Sequence, residues 1–195
     1  MSGADASAAP AQLGRPRRRS ALWAAAIVAA LAVVLVAVLA TRPNFETVQA
    51  RSPLLGKPAP DLVASDLEGH SVRLSALRGR FVLLNFFASW CVPCQHEHPQ
   101  LLAFSQRHQG AGDASVLGVV FEDDPGAVRR FVADRGVDWP LVLDPRGKIA
   151  LDFGVRGPPE SFLIDPNGVV LVKFVGEVRA AQLDALVREA EQARA

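Results

Sequence analysis

The longest apolar run in the chain lies near its start. Residues 21–40, ALWAAAIVAALAVVLVAVLA, contain no charge, proline or glycine. A helix of this length rises about 30 Å, close to the thickness of a bilayer core. Because the run is apolar on every face, it predicts one transmembrane helix rather than a helix buried in a soluble core. A cleaved signal peptide is the alternative, since Val38 and Ala40 have the small-residue spacing of a cleavage site.

Beyond residue 56, short continuous apolar runs alternate with helix-like segments. Continuous apolar runs of this length are typical of strands buried on both faces of a sheet. The main strand candidates are residues 81–88, 114–121, 140–144, 161–165 and 169–176. The helix candidates are residues 93–109, 125–136, 146–154 and 179–193.

The order of these elements is β-α-β-α-β-α-β-β-α, which defines the α/β class. The alternation predicts a mostly parallel central sheet with helices on both faces. A Pro-Asn-Gly turn at residues 166–168 joins the last two strands and predicts an antiparallel hairpin at the edge of the sheet. Two short strands around Gly69 predict a small β extension before the main body, followed by a short helical segment at residues 74–79.

Charge patterning adds an orientation to this layout. Residues 15–20, RPRRRS, place four arginines directly before the apolar run, and such clusters remain in the cytoplasm. The folded domain that follows the apolar run is then expected on the periplasmic or extracytoplasmic side of the cell membrane. The predicted divisions are a cytoplasmic tail at 1–20, an anchor at 21–40, a linker at 41–56 and a folded domain at 57–195. A formal net charge of +1 gives no field that would favour nucleic acid as a partner.

The two cysteines of the chain, Cys91 and Cys94, are separated by only two residues. They fall where the first long strand gives way to a helix, and a helix N-terminus favours a thiolate. Pro93 removes an N–H group that the first helical turn would leave unpaired. Outside the cytoplasm such a pair is a disulfide unless a partner reduces it. The spacing predicts a redox-active dithiol.

A zinc site is the alternative role for the cysteines, because His96 and His98 follow them in CVPCQHEH. Closed zinc sites take ligands from separated segments, whereas ligands on one short helix point in different directions. The two histidines differ by two positions and cannot both face the thiols. We therefore expect exposed histidines and neither a metal nor a cofactor; His70 and His108 lie in turn-like contexts.

Two separated motifs carry a family resemblance. FASWCVPC resembles the thioredoxin active-site motif, and WCVPCQHEHP together with FGVRGPPESFLID is similar to the membrane-anchored thioredoxins of cytochrome c biogenesis, the CcmG/DsbE and TlpA/ResA group. The similarity runs from about Gly56 to the C-terminal helix. It implies a thioredoxin-like fold and thiol–disulfide oxidoreductase activity. It also implies that Cys91 is the attacking cysteine and Cys94 the resolving one.

The resemblance assigns roles to residues outside the dithiol. Pro159 matches a cis-proline that faces the dithiol and pairs with the substrate chain, although Pro158 is also a candidate and both could simply stiffen a loop. Glu97 matches an acidic residue one helical turn beyond Cys94. If buried, it would have a raised pKa and could exchange a proton with that cysteine, whereas a solvated surface glutamate is the alternative. Glu160 matches the glutamate of a G-x-P-E-T segment.

Side chains near both motifs complete the predicted site. Trp90 could shield the dithiol from water, or it could simply pack at the end of a strand. Asp123 and Asp124, in FEDDPG, are interpreted chiefly as charges at a helix N-terminus rather than as substrate contacts. The predicted substrate-binding residues are Trp90, Pro93, Pro158 and Glu160.

The resemblance implies a reductant, and we expect a monomer. It would receive electrons from a membrane thiol transporter of the CcdA/DsbD type and reduce apocytochrome c or its thiol chaperone. A TlpA-like reductant for copper-site assembly in cytochrome oxidase is the alternative substrate assignment. A peroxiredoxin-like peroxidase is suggested by GKPAPDL, but peroxiredoxins keep a threonine where this chain has Cys91. Copper chaperones of the Sco type place one more residue between the cysteines and add a distant histidine, whereas no histidine follows His108.

Overall fold

The computed structural model describes residues 18–40 and 48–194, which belong to two compact units, 1–44 and 45–195. The first unit contains helix α1, Arg18–Ala40. Within the described parts of the chain, no helix combines the length and hydropathy that crossing a membrane requires. The predicted cytoplasmic tail lies outside the described residues as far as position 17.

Within residues 48–194, the second unit contains eight strands and four α-helices. The strands are β1 (Val48–Gln49), β2 (Val63–Ser65), β3 (Ser71–Arg73), β4 (Phe81–Phe87), β5 (Ala114–Val120), β6 (Leu141–Leu143), β7 (Glu160–Ile164) and β8 (Val170–Val175). The helices are α2 (Val92–Gln109), α3 (Pro125–Arg135), α4 (Lys148–Phe153) and α5 (Ala180–Gln192), with a 3-10 helix at Leu74–Leu77.

The central sheet is mixed, so the predicted mostly parallel sheet is wrong. Its strand order is β1-β8-β7-β4-β5-β6. Strand β4 pairs parallel with β5, as does β5 with β6, whereas the β4–β7, β7–β8 and β8–β1 pairs are antiparallel. The predicted hairpin exists, but it enters the sheet beside β4 instead of extending an edge. An alternating sequence pattern gives the kind of each element and does not specify its neighbours in the sheet.

The second half of the predicted linker is folded. Val48 and Gln49 pair with Val175 and Phe174 of β8, and the Ala50 N–H donates to the Lys173 carbonyl at 2.9 Å. Residues 41–47 lie outside the described part of the chain. A strand of two residues is too short to show a hydrophobic pattern, and its pairing partner is far away in sequence. The sequence therefore did not predict β1.

The small β extension is confirmed. Strands β2 and β3 form a separate antiparallel hairpin, and Gly69 in its turn has a φ of +90°, a conformation that favours glycine.

Helices cover both faces of the central sheet, as predicted. Alternate residues of a strand point to opposite faces. On one face, Leu84 and Phe86 of β4 belong to the same apolar cluster as Phe153 of α4. On the other face, Leu83 of β4 packs in a cluster with Phe104 of α2, together with Leu183 of α5. Strand β4 is buried along its whole length and ends four residues before Cys91, which fixes the start of α2 at this end of the sheet.

Candidate active site

Cys91 and Cys94 form a disulfide at the N-terminus of α2, which confirms the predicted redox pair. Cys91 is the N-cap of the helix, and its Sγ accepts a hydrogen bond from the Cys94 N–H at 3.2 Å. Pro93 lies in the first turn, as predicted. Both cysteines are more than nine-tenths buried. In the reduced protein, the helix dipole and the unpaired N–H groups of the first turn would favour a thiolate at Cys91.

The segment just before the disulfide is held by hydrogen bonds from both sides. The Ser89 N–H donates to Asp123 Oδ2 at 2.5 Å, and Gln95 Nε2 donates to the Ser89 carbonyl at 2.7 Å. Trp90 Nε1 donates to the Glu122 carbonyl at 3.2 Å. Glu122 itself has a φ of +42°, an uncommon value for a residue other than glycine. The loop between β5 and α3 therefore fixes the backbone that leads into Cys91.

Asp123 and Asp124 make different contacts. Asp124 is the N-cap of α3 and accepts the Ala127 N–H at 2.9 Å, which confirms its interpretation as a helix N-terminal charge. Asp123 instead connects to the Ser89 N–H, a contact between segments far apart in sequence that the sequence did not indicate.

Apolar surface remains exposed beside the buried disulfide. The Trp90 residue is 56% exposed and Val92 is 57% exposed. Trp90 is therefore more exposed than simple packing at a strand end would require. A large exposed apolar side chain next to a reactive group suits contact with another protein, while shielding of the dithiol by this indole stays a prediction.

Glu97 is buried, so the alternative of a solvated surface glutamate is wrong. Its side chain lies one turn beyond Cys94 and is almost completely inaccessible. Oε1 accepts from Asn85 Nδ2 at 2.9 Å, and Oε2 accepts from the Val178 N–H at 3.0 Å. Burial raises the pKa of Glu97 to about 7, although the two hydrogen bonds act in the opposite direction. The predicted buried acid with a raised pKa is confirmed.

Asn85 is the polar centre of this region, and the sequence analysis did not identify it. Its Nδ2 donates to both Glu97 and Ser161 Oγ, each at 2.9 Å, so it connects α2 with β7. Asn85 is also the one polar residue inside the strand sequence FVLLNFF. That interruption of a buried run was the available signal, because a buried amide needs hydrogen-bond partners.

The Pro158–Pro159 peptide bond is cis, so the bond preceding Pro159 has the predicted geometry. Antiparallel pairing of Phe86 in β4 with Glu160 in β7 brings this bond to the end of the sheet where α2 begins. The Pro159 carbonyl accepts from the Gly176 N–H at 2.9 Å. The bond therefore lies at the same end of the sheet as the disulfide.

Glu160 is buried and internally paired rather than exposed beside the loop. Its carboxylate accepts the Arg156 N–H at 2.9 Å and lies 2.6 Å from Lys173 Nζ. Lys173 also donates to the Gly154 carbonyl at 3.0 Å, so the pair holds both ends of the loop that carries the cis bond. Direct contact of Glu160 with a substrate stays a prediction.

One histidine departs from the expected exposure. His98 is only 5% exposed, because α3 covers this side of α2, which the local sequence did not reveal. His96 is exposed, as expected, and lies 3.4 Å from Glu177. His108 lies in the last helical turn of α2, whereas the sequence suggested a turn between elements. Its ring nitrogens lie 2.9 Å from Asp113 and 3.2 Å from Asp184.

Three side chains in the β2–β3 turn could bring ligand atoms together around a metal ion. They are exposed or half-buried, and their ligand atoms lie within 4.8 Å of one another; they are Asp66, Glu68 and His70. The Asp66 carboxylate already accepts the backbone N–H groups of Glu68 and His70. These hydrogen bonds stabilise the turn and explain why the three side chains lie close together. The turn-like context expected for His70 agrees with this.

Once reduced, the paired cysteines can attack a disulfide in another protein and resolve the product within one chain. That exchange makes the protein a thiol–disulfide oxidoreductase with a thioredoxin-like fold. The chain belongs to the Redoxin family, whose model matches residues 54–187.

Relatives and solved structures agree with this assignment. A thiol-disulfide oxidoreductase ResA of Bacillus thuringiensis is 34% identical over 135 residues, covering 69% of this chain and 78% of the relative. A DsbE homologue of Paracoccus denitrificans, described as a thiol:disulfide interchange protein, is 39% identical over 149 residues, covering 74% and 79%. A crystal structure of a DsbE-type protein from Chlorobium tepidum aligns with a TM-score of 0.63 at 34% identity, covering 71% of this chain and 96% of that one.

Proposed function

We propose that the protein is an extracytoplasmic reductant of disulfides in apocytochrome c or in the thiol chaperone that presents it. The resemblance of the motifs around Cys91 and Pro159 to the cytochrome c biogenesis thioredoxins supports this substrate class. The similarity to proteins named ResA and DsbE supports it as well. Electrons would come from a membrane thiol transporter of the CcdA/DsbD type, which reduces the Cys91–Cys94 disulfide after each turnover.

The reaction has two exchange steps. The Cys91 thiolate attacks one sulfur of the substrate disulfide, which forms a mixed disulfide and releases the other substrate sulfur as a thiolate. Cys94 then attacks the Cys91 sulfur, which forms the Cys91–Cys94 bond and releases the second substrate sulfur. The substrate gains the two electrons that the dithiol loses.

The buried carboxyl group of Glu97 is the observation that carries the proposal. With a pKa of about 7, it changes charge in the pH range where the protein would work. When ionised, it disfavours a second negative charge at the nearby Cys94, so the resolving thiol remains protonated until Cys91 is engaged. A dithiol controlled in this way favours a slow and selective reductant over a general one.

Substrate would lie along the apolar surface around the disulfide. We assign this contact to Trp90, Pro93 and Pro158, with the backbone at Pro159 pairing with the substrate chain. The exposed indole and the position of the cis bond at the same end of the sheet support that path. The Glu160–Lys173 pair would keep the loop in place.

Membrane attachment is part of the proposal. We propose that residues 21–40 remain as a single-pass anchor and that residues 42–195 face outward. The uninterrupted apolar run and the arginines that precede it support this arrangement. Intact-mass measurement of protein extracted from membranes should give the full chain, and a mature chain starting at Thr41 would contradict the anchor.

Reduction rates on a set of oxidised substrates test the function. The full-length protein, reduced beforehand, should react faster with an oxidised apocytochrome CxxCH peptide than with a generic small disulfide. A matched peptide in which the histidine is replaced by alanine is the control for recognition beyond the disulfide. Faster reaction with a disulfide from a cytochrome oxidase copper site would favour the TlpA-like alternative, and equal rates on all substrates would contradict a selective reductant.

A further inference from the structure

A cavity of about the size of one water molecule lies behind Cys94. Its wall is mostly apolar and comes from β4, α2, α3, β6 and the loop that joins α3 to β6. The lining residues whose side chains carry a nitrogen, oxygen or sulfur atom are Asn85, Cys94, His98 and Trp139. The cavity therefore connects the resolving cysteine with a buried imidazole that the exchange mechanism described above does not use.

The geometry of His98 leaves one ring nitrogen available as a base. His98 lies four residues after Cys94, and residues at this spacing are neighbours on one face of a helix. Its Nε2 is 3.0 Å from the Arg135 carbonyl, which can only accept, so Nε2 carries a hydrogen and Nδ1 has a free lone pair in the neutral ring. The rings of Phe131 and Trp139, with centroids 5.2 Å and 5.5 Å away, hold the imidazole in place.

Glu97 is less available to the Cys94 proton than its position suggests. Both of its carboxylate oxygens already accept hydrogen bonds, from Asn85 and from Val178. Asn85 lines the cavity behind Cys94, whereas Glu97 is not among the residues that line it. Glu97 can thus act through its charge while a second group accepts the proton.

Two charged residues at the end of α3 and in the loop after it have contacts of their own. Arg135 of α3 places its guanidinium over the Phe131 ring, 5.9 Å from the centroid. Asp138, in the loop after α3, accepts a hydrogen bond from Ser105 at 2.8 Å. Among the described residues that line the cavity, β4 and β6 contribute no titratable side chain. Cys94 is the titratable group that shares the cavity with the imidazole.

We propose that His98 accepts the proton of Cys94 in the resolving step. As Cys94 attacks the Cys91 sulfur of the mixed disulfide, its thiol hydrogen passes through the cavity to Nδ1. The Cys91–Cys94 bond forms, the bond from Cys91 to the substrate breaks, and its electron pair leaves on the substrate sulfur. The imidazolium keeps its Nε2–H bond to the Arg135 carbonyl and later returns the proton to water, so that no further reagent is needed.

This inference rests on the dithiol exchange of the proposed function and not on the identity of the substrate. The test therefore uses dithiobis(nitrobenzoate), which the reduced full-length protein should cleave in two phases. The first coloured thiolate is released when Cys91 attacks, and the second when Cys94 resolves the mixed disulfide. Loss of the second phase in the parent protein would count against the two-step mechanism itself, separately from any effect of His98.

Replacing His98 by phenylalanine keeps an aromatic ring between Phe131 and Trp139 and removes both nitrogens. We expect the first phase to keep its rate. The second phase should slow on the order of tenfold near neutral pH, which is less than the roughly 10²–10⁴-fold that a positioned base contributes. His96→Phe is the matched control, because this neighbouring histidine is exposed, and it should leave both phases unchanged.

The pH profile separates proton transfer from packing. At alkaline pH, hydroxide removes the Cys94 proton directly, so the second phases of His98→Phe and the parent should converge. A defect of the same size at every pH, or no defect in the second phase, would overturn the proposal. If His98→Phe does not fold, as judged by circular dichroism, His98→Gln is measured by the same criteria.

Discussion

Replacing Glu97 by glutamine should remove a pH-dependent component of stability. The carboxyl group has an ordinary pKa of 4.5 in the unfolded chain and a pKa of about 7 in the folded protein, because burial disfavours its charge. A folded-state pKa that is raised stabilises the fold at low pH, and this stabilisation is lost as the pH rises through the folded value. The shift corresponds to about 3 kcal/mol, which the parent loses between about pH 4.5 and pH 7.

Glutamine does not titrate, and its amide nitrogen must face one of the two N–H donors that now bind the carboxylate. The substitution should therefore cost about 1–3 kcal/mol at low pH, where the parent carboxyl group is protonated. As the pH rises, the parent loses stability and the variant does not. The difference in unfolding free energy should then shrink by about 3 kcal/mol between about pH 4 and about pH 8, and it can change sign.

Urea denaturation of the oxidised protein, repeated across this pH range, measures that difference. Glu189→Gln on the exposed side of α5 is the control and should show no comparable dependence. In the two-phase exchange assay, Glu97→Gln should shift the pH profile of the resolving step to lower pH and affect that step more than the first attack, because the negative charge that disfavours a thiolate at Cys94 has been removed. A stability difference that stays constant with pH, together with superimposable rate profiles, would refute the argument that a buried acid is coupled to the dithiol.

The remaining predictions concern the dithiol and the buried ion pair. Cys91→Ser should abolish disulfide reduction, whereas Cys94→Ser should accumulate a mixed disulfide that mass spectrometry detects. Equal alkylation rates of the two thiols in the single variants would contradict the assignment of Cys91 as nucleophile. Lys173→Met should destabilise the fold by about 3–5 kcal/mol in urea, because the carboxylate of Glu160 would be left buried without its partner. Adding Glu160→Gln to that variant should restore part of the loss, and a double variant no more stable than Lys173→Met would argue against the pair.

The parts of the site that the sequence predicted are those encoded locally. Cys91, Cys94 and Pro93 lie within four consecutive positions at a strand-to-helix junction, and the hydrophobic pattern places that junction without further information. Glu97 could be assigned because its spacing from Cys94 is a property of one helix. In each case neighbours in the sequence are also neighbours in space.

The parts that the sequence did not predict depend on contacts between distant segments. Burial of His98 is caused by α3, and the ion pair of Glu160 depends on Lys173 in the next strand. The place of β7 beside β4 depends on which of several apolar strands pair, and a pattern of buried positions does not contain that choice. Asn85 is an intermediate case, since the sequence shows a polar residue in a buried strand but not its partners.

The central position of β7 also determines when the site is completed as the chain emerges. Strands β4, β5 and β6 and the dithiol precede β7 in the chain, so one side of β4 remains unpaired until residues 160–164 are available. Ser161 and Val178 complete the hydrogen-bond network around Asn85 and Glu97, and both come after the cysteines in the chain. A growing chain therefore carries a reactive thiol pair whose neighbouring acid is still in contact with water. The network around Asn85 and Glu97 is complete only once the chain has reached Val178, so a shorter chain would lack this control of the dithiol.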